Sequence, residues 1–277
     1  MTSPALPGIS GLHRITLTST LTKAVSDRLL VATLTGVGIG LMSLMMGPMF
    51  LSLADSIAEM METLPDSFLA IAAGADMGTA PGWYTGEMYS IMAPLAVIFV
   101  GVWSASKAFA GEIEERTMGI LIANPVRRVR LAVDKLVAMA VHIIVTAGLI
   151  GLGTWIGVTI AGLEVETSAI VAITVHLTLL AIFFGALAAF ISIAIGRRMV
   201  AVLVVILLAL VAYLWSGFVP LVDSIAGLAG LSPWHHYIGS NPLTSGMDWA
   251  SAALLGILGI VVAAATVKLF ERRDIPG

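Results

Sequence analysis

Six stretches of the chain, 29–53, 88–106, 136–163, 168–196, 199–222 and 249–267, contain no Asp, Glu, Lys or Arg. A bilayer core about 30 Å thick asks for about 20 apolar residues per spanning helix, and each stretch is long enough to serve. Only 11% of the 277 residues are charged and 58% are hydrophobic, against about 25% charged in soluble domains. A water-soluble globular fold is excluded. The expectation is an all-α polytopic membrane protein with six transmembrane helices, whose remaining chain is too short for a soluble catalytic domain. Lys and Arg are not pooled in a tail and the net charge is -3, so nucleic acid is not an expected partner. The expected surroundings are membrane lipid.

A seventh charge-free gap lies within 223–248. It holds Pro233, Pro242, His235, His236 and Asn241, and Pro costs about 3 kcal/mol inside a helix, so it reads as a re-entrant or interfacial outer segment. With six spans and the N-terminus inside, all 14 Lys and Arg fall in segments 1–28, 107–135, 197–198 and 268–277 on one side. The outer segments, including 54–87, carry only acids. This obeys the positive-inside rule, and places both termini in the cytoplasm. A seventh span would put Lys268, Arg272 and Arg273 outside.

Within 1–28, Leu17, Leu21 and Val25 recur at helical spacing opposite Lys23, Asp27 and Arg28, which predicts an N-terminal interfacial helix. Gly36 and Gly40 in span one form a pair of small residues that lets another backbone approach closely. Ile57, Met60, Met61 and Leu64 can share a face in the outer segment, and Ala80-Pro81-Gly82-Trp83-Tyr84 reads as a turn leading to interfacial aromatics.

The cytoplasmic region 107–135 orders its charges. Glu112, Glu114 and Glu115 come first and Arg127, Arg128 and Arg130 last, which complements a helix macrodipole. Glu112 and Arg116 form an i,i+4 pair, while Ile113, Thr117, Ile120 and Leu121 make an apolar face. Asn124 precedes Pro125, so the helix stops there and a new one resumes near Arg130. The predicted product is a short amphipathic helix beneath the membrane.

Acids leading into Thr117, then Ile120-Leu121, Asn124-Pro125-Val126-Arg127-Arg128 and Lys135, resemble the coupling-helix region of the permease subunits of type-2 ABC transporters. The order of elements over nearly the whole chain is similar too, including Ser232-Pro233-Trp234-His235-His236-Tyr237, Asn241-Pro242-Leu243 and the ending Leu269 to Asp274. The family often has Gly where this chain has Arg116. The resemblance implies a permease of the exporter class in a prokaryotic plasma membrane, paired with a second permease subunit as a homodimer or heterodimer. It also implies two separate ABC ATPase subunits that bind ATP and Mg, with Glu112, Glu114, Glu115, Arg116, Thr117, Ile120, Leu121, Pro125, Arg127 and Arg128 coupling them to transport.

No Gly-Lys pair occurs in the sequence, so the chain lacks the phosphate-cradling loop G-x-x-x-x-G-K-[ST] and is expected to carry no catalytic site, cofactor or metal of its own. The competing reading is a six-helix secondary transporter or channel, which would use buried carboxylates or His as relays. The spans contain no carboxylate, and His142 and His176 read as packed helix contacts. His235 and His236 have no neighbouring Glu or Cys to make a zinc site. Phe99, Trp103, Tyr213, Trp215 and Phe218 are candidates for a greasy substrate path, with Trp234, His235 and Tyr237 as an outer gate above it. An apolar or amphipathic cargo such as a drug, an antibiotic or a lipid fits these residues.

Overall fold

The structure is a computed structural model that describes residues 12–61, 76–115 and 127–273. Six of its helices are long and apolar enough to cross a membrane. They are α1 (Leu12–Met61), α2 (Ala80–Glu114), α3 (Arg128–Ala161), α4 (Thr167–Ile195), α5 (Arg198–Phe218) and α8 (Trp249–Arg272), with the short outer helices α6 (Pro233–Ile238) and α7 (Pro242–Ser245) before the last. Among the described residues the fold is all-helical.

Helix ends follow local chemistry. Thr79 accepts the N–H of Gly82 and Pro81 occupies the first turn, so α2 begins at Ala80. The expected turn with lipid-anchoring aromatics is therefore the start of the helix, and Trp83 and Tyr84 are buried in the core rather than laid along the interface. Gly162 and Gly196 end α3 and α4 at φ 64° and 73°, where a β-carbon would be strained. Asp248 accepts the N–H groups of Ala250 and Ser251 and starts α8. The Arg128 start of α3 agrees with a helix that resumes after Pro125.

The longest helix departs from the sequence expectation. α1 has 50 residues, about 75 Å at 1.5 Å per residue. The amphipathic segment is not a separate interfacial helix, since it runs unbroken into span one, and the patterned stretch up to Met61 continues the same helix outward. The helix runs past the one proline between Leu12 and Met61 without ending. Pro48 lies inside, and the Trp83 indole N–H donates to the nearby Met46 carbonyl at 3.1 Å.

α1 packs most extensively on α3, and the contact is backbone against backbone. A β-carbon on Gly153 would collide with the Gly40 carbonyl oxygen, one on Gly47 would collide with that of Gly157, and one on Gly40 would stand 2.6 Å from the Leu149 oxygen. The Gly36 and Gly40 pair thus serves a contact within the subunit. Polar groups fasten the same seam. Thr146 donates to the Ala32 carbonyl at 3.1 Å, and Thr154 Oγ1 lies 2.6 Å from Ser43 Oγ and 2.7 Å from the Tyr89 hydroxyl.

The broken segment before α8 folds compactly against protein. Ser232 Oγ donates to the Ala212 carbonyl at 2.7 Å, Trp215 Nε1 to Leu228 at 3.0 Å, and the Tyr237 hydroxyl to the Tyr89 carbonyl at 2.7 Å. Pro94 has no N–H to give the Ser90 carbonyl one turn back, and the Tyr237 hydroxyl bonds the adjacent Tyr89 carbonyl.

The seam predicts a sharp contrast between two glycines on α3. Gly153→Val should lower the melting temperature of the solubilised protein markedly, as overpacking costs about 1–3 kcal/mol or more. Gly148→Val should leave it unchanged, because a β-carbon there meets nothing within 4 Å.

Candidate functional site

The C-terminal end of α2 gathers most of the charged side chains that the fold engages. Here the helix widens into a π turn, Lys107–Gly111, before its last residues Glu112–Glu114. Lys135 of α3 is 5% exposed, and its ammonium donates to the Ala108 carbonyl at 2.6 Å and to Glu112 Oε2. The π turn bends the regular ladder, and the lysine supplies a donor there. The ammonium also lies 5.7 Å from the centre of the Phe109 ring, which meets Phe270 of α8 edge-on at 5.7 Å.

Two residues later, Glu114 Oε1 accepts the backbone N–H of Arg198 at 2.9 Å. A carboxylate at the N-terminus of α5 is favoured by the helix macrodipole and by an otherwise unused donor. The Arg198 guanidinium stacks over Trp103 at 3.9 Å, and Trp103 stacks on Phe99 at 5.9 Å. Arg128 donates to the Arg273 carbonyl at 2.9 Å, drawing the start of α3 to the end of α8. The last residues of α2 are thus bolted to α3 by Glu112, to α5 by Glu114 and to α8 by Phe109.

These residues lead directly into the segment that the sequence singles out for coupling. Arg116, Thr117, Ile120, Leu121 and Pro125 lie outside the described residues. Of the others, Glu115 and Arg127 are exposed and Arg128 is half-buried. The Glu112 carboxylate accepts from Lys135, 23 residues away, while Arg116, its expected i,i+4 partner, lies outside the described residues. Lys135 is the functional side chain that sequence reasoning underrated, since a lysine flanking a span ordinarily faces the headgroups. Asp134 beside it marks the spot only weakly.

The five proposed path residues fall into two groups. Phe99 and Trp103 lie on the C-terminal half of α2. Tyr213 lies near the C-terminal end of α5, where its ring meets Trp234 at 5.3 Å, and Trp234 in turn meets Tyr237 at 6.1 Å. Trp215 and Phe218 are exposed. Trp234 and Tyr237 are buried above α5, and half-buried His235 lies beside His236, with ring centres 5.6 Å apart. Burial and the neighbouring imidazole lower the His235 pKa.

Both intramembrane histidines bridge helices. His142 Nε2 lies 2.9 Å from the Val25 carbonyl and Nδ1 lies 2.9 Å from Ser104 Oγ. A carbonyl only accepts, so Nε2 carries the proton and the serine donates to Nδ1. His176 lies between the carbonyls of Ala172 at 2.8 Å and Asp248 at 3.2 Å, joining α4 to the start of α8.

Residues 21–275 match the family described as ABC-2 family transporter protein. The chain belongs to that family. It is a multi-pass membrane subunit of an ABC transporter, and membership associates this ABC-2 subunit with ABC ATPase subunits. No curated protein matches the chain.

The buried pair makes a prediction. Lys135→Met takes the buried ammonium from the Glu112 carboxylate and should destabilise this ABC-2 subunit by roughly 3 kcal/mol, read as a lowered melting temperature, while Lys135→Met combined with Glu112→Leu should recover most of the loss.

Proposed function

We propose that this subunit pairs with a second permease subunit and, with two separate ATPase subunits that bind ATP and Mg, exports an apolar or amphipathic compound across a prokaryotic plasma membrane. The observation that carries the reading is the ABC-2 match across residues 21–275, joined to a sequence without any Gly-Lys pair for a phosphate loop. Energy must then come from another chain. The gathering of all 14 Lys and Arg in segments 1–28, 107–135, 197–198 and 268–277 supports cytoplasmic termini, with the end of α2 on the side where an ATPase works. The exposed apolar face of α5, with Leu203, Leu207, Leu210 and Leu214, supports a lipid-facing or partner-facing role for that helix.

In this reading, closure of the ATPase subunits pushes on the segment between Glu115 and Arg127. Glu112 and Glu114 pass the displacement to α3 and α5, because a carboxylate held by a buried lysine and one held by a helix terminus cannot shift alone. Displacement of α5 moves Tyr213 beneath Trp234. The outer segment then opens or closes the exit, and the cargo path runs past Phe99 and Trp103 within and past Trp215 and Phe218 without. The absence of Asp and Glu from the charge-free spans supports an apolar or amphipathic cargo over a small ion.

The test uses the permease reconstituted with its ATPase in liposomes, with ATP-dependent movement of an amphipathic dye as readout. Glu115→Arg or Arg116→Glu should cut transport per ATP by about tenfold while insertion and yield stay normal, as coupling free energies are about 1–3 kcal/mol. Trp234→Ala should change transport or basal ATPase activity without reducing insertion. Normal transport in all three variants contradicts the reading.

A further inference from the structure

Arg28, in the first half of α1, and Arg198, the first residue of α5, hold their charge in an unusual way. Arg28 and Arg198 come from helices that both pack on α2, and Arg28 lies within electrostatic reach of Arg198 and Glu112. Their stems are covered. Arg28 Nε, Arg198 Nε and Arg198 Nη2 are buried without a hydrogen-bond acceptor among the described residues. The remaining guanidinium nitrogens are not among those enclosed atoms.

The carboxylates around them are already engaged or stand away. Glu112 is held by Lys135, and Glu114 caps α5 through the Arg198 backbone N–H rather than its side chain. Asp27 and Glu115, the other acids within reach of Arg28, are exposed. A guanidinium at the membrane boundary that is left without an acceptor is costly, and its planar fork matches phosphate oxygens in particular.

An apolar stripe continues from the same place. Leu95, Phe99 and Trp103 follow one another at intervals of four along α2, and so share a face. Leu95 is 58% and Phe99 41% exposed, and Arg198 stands over Trp103 at the cytoplasmic end of the stripe. Cation above and apolar surface below, over about 12 Å of helix, is the shape of a lipid with an anionic head. Basic pockets between transmembrane helices on the cytoplasmic side bind such heads.

We propose that Arg28 and Arg198 clamp the phosphate of an anionic phospholipid of the inner leaflet, whose acyl chain lies along Leu95, Phe99 and Trp103. The site shares Phe99 and Trp103 with the proposed cargo path, and its test reads lipid binding rather than transport.

The test is native mass spectrometry of the purified full chain, offered equal amounts of phosphatidylglycerol and phosphatidylcholine. Wild type should retain phosphatidylglycerol with about a tenfold preference, the scale of one charge-assisted hydrogen bond. Arg198→Gln and Arg28→Gln should each remove that preference, while Arg198→Lys should keep part of it. Melting in phosphatidylcholine alone establishes that each variant is folded, and Arg28→Gln leaves the Arg198 stack on Trp103 untouched should Arg198→Gln fail to fold. An undiminished preference in a folded Gln variant overturns the proposal. So does protection of wild type against melting by inorganic phosphate alone that equals protection by phosphatidylglycerol, since the site would then take a free anion and not a lipid.

Discussion

The hydrocarbon interior offers no water, so each polar group that the chain carries into it has to find its partner in the protein. That constraint organises the fold. Thr154 joins Ser43 of α1 to Tyr89 of α2, His142 joins Val25 of α1 to Ser104 of α2, and Lys135 takes an α2 carbonyl together with Glu112. Three residues of α3 thus bind three levels of α2, and two of them reach α1 as well. Glycines on α1 and α3 bring the backbones close enough for the short Ser43–Thr154 bond to form.

The same need for partners explains how an irregular segment packs between helices. Residues 223–248 contain two prolines and several glycines, yet the segment's side chains repay the disruption by bonding carbonyls of α2 and α5, with Asp248 starting α8. In the proposed cycle this makes the outer segment responsive to α5. On the other side of the protein, Glu112 and Glu114 make the end of α2 a junction of helices rather than a loose loop. A permease without its own ATPase site needs such a junction, because force applied to a flexible connection would move nothing else.

Much of the architecture was legible from one property, the absence of charge over spans of suitable length. The six crossing helices, the close approach at Gly40 and the irregular segment before the last helix all follow from residues read singly or at helical spacing. No break separates the N-terminal amphipathic segment from span one, because amphipathic periodicity specifies a face but contains no stop, and the chain between Asp27 and Val31 has neither Gly nor Pro to make one. Trp83 and Tyr84 were misread for a related reason: aromatics beside a bilayer edge look alike whether they face lipid or protein. The bond from Glu112 to Lys135 joins elements on either side of a long connection, and periodicity along a single helix carries no information about it. For the coupling segment itself the sequence pattern remains the basis of the assignment.

The six-crossing topology with every basic residue on the cytoplasmic side underlies the reading of both ends of the molecule. The chain has no cysteine, so single cysteines report without background. In intact cells, Ser67→Cys should react with an impermeant thiol reagent and Ala123→Cys should react only after the membrane is opened. Labelling of position 123 in intact cells would contradict the account.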